Sequence, residues 1–137
     1  MAQAKVDWYG DEVYLLLEEA TAEALEAAAF SVEGKAKMNI VANDQIDTGF
    51  MLNSVYAAGQ ENSTYQNAAS SARSQNPQAK MLSEEAVPGD GVTALVAVGA
   101  EYAIFQELKN SFLYRALEQE ASEVGGILQQ KTKSKGF

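Results

Sequence analysis

Asp47-Thr48-Gly49 is the tripeptide whose residue types and order come nearest to catalytic chemistry in this chain. Two such turns brought face to face would let a pair of aspartates share one proton and activate a water between them for peptide hydrolysis. The neighbouring residues argue against that use. A small residue is expected after the glycine, and Phe50 is bulky; an apolar strand is expected before it, and Ala42-Asn43-Asp44-Gln45 is mostly polar. A three-residue motif outside its structural context carries little weight. The turn itself remains a good structural reading: Asp47 can accept backbone amides, Thr48 sits beside it, and Gly49 can take a positive φ at little cost.

The chain contains no histidine and no cysteine, so the commonest general base, the commonest zinc ligand and the thiol nucleophile are missing. Glu18-Glu19 and Glu84-Glu85 are neighbours in sequence, and adjacent positions on a helix do not face one site. Gly89-Asp90-Gly91 lacks the lysine and helix start of a phosphate loop. Tyr102, Phe105 and Phe112 could stack nucleobases, but no basic residues accompany them, so they read as core. These residues predict neither an enzyme nor a metal or cofactor site.

The elements that must position such residues follow from composition and periodicity. The 137 residues, 47% of them apolar, suffice for one domain spanning 1–137. The net charge of −9 is concentrated at the front, where residues 1–48 hold ten acidic residues and three lysines. That balance disfavours phosphate-backbone binding and fits a solvated acidic face, or the wall of a passage through which DNA slides. No run approaches the ~20 apolar residues that span a bilayer.

From Asp11 to Ala42 the sequence is rich in Ala, Leu and Glu, with one apolar face through Val13, Leu17, Ala20 and Ala24 and a neighbouring one through Leu25, Ala28, Val32 and Ala36. This predicts one helix of about thirty residues, ~45 Å long, more than so small a core needs. A strand is expected to begin within Asn53–Ala58, with Leu52 and Val55 in the core. Residues 59–91 are rich in Ser, Asn, Gln and Ala and read as an insertion unable to fix itself, anchored by Tyr65, Met81 and Leu82. Val92–Val98 is the clearest strand, with Val96 and Val98 as core residues. Tyr102, Ile104, Phe105 and Leu108 suggest a short apolar helix, and Phe112, Leu113 and Leu117 open a last one. The expected class is α+β: a long N-terminal helix, a small antiparallel sheet, a short helix and a C-terminal helix, with a long polar insertion.

In that order, the long helix, Asp47-Thr48-Gly49 with Leu52 and Ser54, the Val-rich strand ending at Gly99, Tyr102-Ala103 with Glu107, and Phe112-Leu113 with Ala116-Leu117 resemble the head–tail joining proteins of tailed bacteriophages. Members of that family are labelled neck, tail-completion or minor tail proteins. The likeness covers roughly Val13 to Val124 apart from the insertion. Phe50 stands where the family usually has Arg or Lys, and Ser111 where it has proline.

The resemblance implies a virion protein, made in the host cytoplasm, that closes into a homo-oligomeric ring at the head–tail junction. A hexamer is favoured over a dodecamer. Its neighbours would be portal-side connector and tail-tube proteins, DNA would pass through without specific binding, and no membrane is involved. Leu17, Ala24, Ala28 and Val32 on the surplus helix, with Tyr65, Met81 and Leu82 in the insertion, are the expected subunit contacts. The alternative is a small cytoplasmic interaction module, of antitoxin or adaptor type, that binds one partner through its long helix.

Overall fold

The computed structural model describes residues 3–9, 12–18, 22–45, 49–87, 89 and 93–120. Two strands, β1 (Gln3–Tyr9) and β2 (Glu12–Glu18), lead into the helix α1 (Ala22–Ala42). A short helix α2 (Phe50–Ser54) runs directly into β3 (Val55–Ala58), and α3 (Tyr65–Gln75) follows. The chain returns through β4 (Thr93–Val98) and ends its described part in α4 (Ala103–Lys109) and α5 (Leu113–Gln119). The class is α+β, as the sequence predicts, and the sheet has four strands in the order β1-β2-β4-β3.

All pairings are antiparallel, and β4 takes a partner on both sides: Val98 lies in register with Val13 of β2 and with Val55 of β3. Successive residues of a strand point to opposite faces, and here both faces are covered. Val55, Ala57, Ala94, Val96 and Val98 join the core built on α1, with Leu25, Ala28, Ala29, Val32, Ala36 and Ile40. Tyr56, Ala58, Leu95 and Ala97 form a second cluster with Tyr65, Ala68 and Ala69 of α3. Double coverage explains why every residue of β3 and β4 is buried. Gly59 lets α1 come close, since a Cβ there would lie 2.8 Å from that of Glu26.

The single helix expected over Asp11–Ala42 is corrected at its front. Residues 12–18 are strand, with Leu17 in register with Ala4 and Ala94, and the helix has 21 residues, about 32 Å of length. The helical face Leu25, Ala28, Val32, Ala36 is fully buried in the chain's own core. Gly34 lies on the solvent side within the unbroken helix. Alternation was obscured by the consecutive leucines 15–17, which fit either period.

The polar segment is corrected too. Within 59–87 the chain forms α3, whose Tyr65, Ala68, Ala69 and Ala72 are buried. The stretch after it is tied to the sheet by hydrogen bonds. The Tyr65 hydroxyl donates to the Leu82 carbonyl at 2.6 Å, the Tyr56 hydroxyl accepts the Glu85 amide at 3.1 Å, and the Leu82 amide donates to the Gly99 carbonyl at 2.7 Å. Tyr56 and Tyr65 meet edge to face with centroids 4.9 Å apart. These contacts are made within one chain.

Asp47 and Thr48 lie outside the described residues, while Gly49 has φ 89° at the start of α2. A side chain in that conformation is strained, and its Cβ would meet Gln75 Oε1 at 3.2 Å. Gly49→Val is expected to cost about 1–2 kcal/mol. Urea unfolding should show this as a lower midpoint at unchanged slope, and an unchanged midpoint would contradict it.

Candidate interaction surface

The α4 helix has two unlike sides. A turn at Ala100–Tyr102 starts it, with the Ala103 amide donating to the Ala100 carbonyl at 3.1 Å. Ala103 and Glu107, four residues apart, are buried. Tyr102, Phe105 and Leu108, at three-residue steps, face outward, and Phe105 and Leu108 are 65% and 72% exposed. Large apolar groups outside and a carboxylate inside invert the usual order.

The inversion is explained by what Glu107 holds. Its Oε1 accepts the backbone amides of Phe112 at 3.0 Å and Leu113 at 2.8 Å; its Oε2 accepts the Ser111 hydroxyl at 2.6 Å and the Tyr114 amide at 3.2 Å. The first amides of a helix lack partners within it, and a carboxylate at that end is also favoured by the helix dipole. Glu107 therefore caps α5 from the preceding helix, and four donors satisfy a buried carboxylate that has no need of a cation.

Three amide side chains at the end of α1 secure the other side of the same turn. Asn39 Nδ2 donates to the Phe112 carbonyl at 3.1 Å, Asn43 Nδ2 to the Ser111 carbonyl at 3.1 Å, and Gln45 Nε2 to the carbonyls of Gln106 and Asn110, each at 3.0 Å. Arg115 Nη1 closes the network on Asn43 Oδ1 at 3.3 Å. Phe112, Leu113 and Ala116 are then pressed into the core against α1.

Two hollows open elsewhere on the surface. One, of about 340 Å³, lies between residues 58–63 and 84–87; another, of about 240 Å³, is lined by Glu33, Lys37, Asn53, Thr64, Asn67 and Ser71. Three carboxylates in or beside them tie the chain together: Glu84 accepts from the Ser63 hydroxyl at 2.5 Å, Glu33 from Thr64, and nearby Glu26 from the Asn62 side chain at 2.7 Å. Among the described residues no cluster of three or more acidic residues is placed to hold a metal ion, and no helix is long and apolar enough to cross a membrane. Comparison with protein-family models, with curated proteins and with solved structures gives no match.

The expected core residues divide. Val55, Val96, Val98, Phe112 and Leu113 are buried, and Leu52 and Leu117 are partly buried against them. Tyr102 and Phe105 are corrected, being exposed, because α4 turns its small Ala103 and hydrogen-bonded Glu107 inward instead.

Three of the seven expected subunit contacts are corrected. Ala28 and Val32 are fully buried and Tyr65 nearly so, which leaves them unavailable to another chain; Met81 and Leu82 are partly buried and bridged to residues 99–100. Leu17 lies on β2 instead of a helix, and Ala24 is on α1. The clamp of Asn39, Asn43 and Gln45 was not foreseen. Its one sequence signal is an asparagine beside Ile40 on the buried side of an Ala-rich helix.

Glu107→Ala is expected to leave three amides at the start of α5 without their acceptor and to destabilise the fold by about 3 kcal/mol. Chemical unfolding measures this, and a loss below about 0.5 kcal/mol would show that the cap is dispensable.

Proposed function

We propose that this chain is a structural assembly protein of the head–tail junction of a tailed bacteriophage, forming a ring with copies of itself and joining a portal-side connector to the tail. The observation that carries this reading is the α4 face of Tyr102, Phe105 and Leu108. Exposed aromatic and aliphatic groups on a rigid support are typical anchors of protein contacts. Glu107 behind them supplies that support.

The order of sequence motifs that resembles the joining family supports the same reading. Its Glu107 and Phe112-Leu113 are joined here by direct hydrogen bonds. The net charge of −9 suits a ring through which DNA passes without being held. In a closed ring, each copy presents two different surfaces to its neighbours. The α4 face is one of them in this proposal, replacing the α1 residues that the chain's own core has taken. That burial also counts against the rival reading of an interaction module acting through the long helix.

Phe105→Asp and Leu108→Asp are expected to lower the assembled mass in light scattering, and to abolish co-purification with the products of adjacent capsid and tail genes. Thermal stability should hardly change, because both side chains are exposed. Assembly unaffected by either substitution would reject this surface, and flanking genes unrelated to a virion would reject the phage role.

A further inference from the structure

We infer that two copies of the chain pair through β1, edge to edge and antiparallel, to make one continuous eight-stranded sheet. The two edges of the sheet differ. On the β3 side the turn after the strand folds back over the edge: the Thr64 amide donates to the Ala57 carbonyl at 2.9 Å, the Ala57 amide to Thr64 Oγ1 at 2.9 Å, and the Gly59 amide to the Asn62 carbonyl at 2.8 Å. On the other side β1 is outermost, and among the described residues no strand pairs with its outer edge. An outer edge of seven residues that no described strand pairs with forms a template for another strand.

The sequence of β1, Gln3-Ala4-Lys5-Val6-Asp7-Trp8-Tyr9, selects the occupant and the register. In a twofold pair with α1 of both copies on the same face, the strand must be centred on a residue, since opposed residues share a face. Centring on Lys5 sets lysine against lysine. Centring on Asp7 sets aspartate against aspartate. Centring on Val6 sets Lys5 of each copy against Asp7 of the other, Ala4 against Trp8 and Gln3 against Tyr9, and uses the full strand. Opposite charges placed directly across a ladder stabilise it and like charges destabilise it, so the strand is complementary to a second copy of itself in this one central register. The pairing is independent of the α4 face.

Charge exchange tests it. In light scattering, with Phe105→Asp present so that the α4 face contributes nothing, the protein should have twice the 14.7 kDa mass of one chain. Lys5→Glu or Asp7→Lys alone should weaken the dimer roughly tenfold or more, and the two together should restore it. A monomer at every concentration, a dimer indifferent to the single exchanges, or a double exchange that fails to recover would each overturn the inference. Should the Phe105 variant not fold, hydrogen exchange on the unaltered chain decides. Amides of residues 3–9 should gain protection on concentration, and an unchanged pattern would overturn the pairing.

Discussion

A single buried carboxylate organises the C-terminal part of the described structure. The seven-residue helices α4 and α5 are each too short to be stable alone. Their mutual geometry is set where Glu107 receives the amides that begin α5, and where Asn39, Asn43 and Gln45 grip the intervening carbonyls. With those groups satisfied inside, Phe112 and Leu113 can enter the core, and the opposite side of α4 is left to carry Phe105 and Leu108 into solvent. The interior polar network and the exterior apolar face are thus two sides of one helix.

Alanine makes the rest of the packing feasible. Ala28, Ala29 and Ala36 of α1 share one core cluster with Ala57 and Ala94 of the sheet, and Ala68 and Ala69 of α3 share the other with Ala58 and Ala97. Small side chains let backbones approach closely, so two helices can cover a short sheet from both sides. The large groups, Phe50, Phe112, Leu25 and Ile40, fill what remains. Phe50 is fully buried, at a place where a charged side chain would be stranded away from water.

Much of this was legible in the residues. The helical spacing of Leu25, Ala28, Val32 and Ala36, the alternation of 93–98 and the burial of Phe112-Leu113 all follow from periodicity, and Gly49 takes the positive φ its turn requires. The N-terminal hairpin was missed because Val13 and Leu17 also fit a helix. The Gly-Asp pair between two strand-like runs was its signal. The α3 helix was hidden by composition, since its buried residues beyond Tyr65 are alanines, which hydropathy hardly separates from their polar neighbours. Most opaque was α4. Residue type alone places Phe105 inside and Glu107 outside, and the reverse follows only from a hydrogen-bond network whose members are up to 73 residues apart.

The turn at Asn62–Thr64 has a bearing on solubility. A sheet with two open borders is a bifunctional monomer and can add chains without limit, which is the geometry of fibrils. Sealing the β3 border leaves, among the described residues, β1 as the one strand edge without a neighbour, and the pairing inferred above would close it after a single addition. A polar turn of three residues thereby closes one of the two borders along which further strands could add.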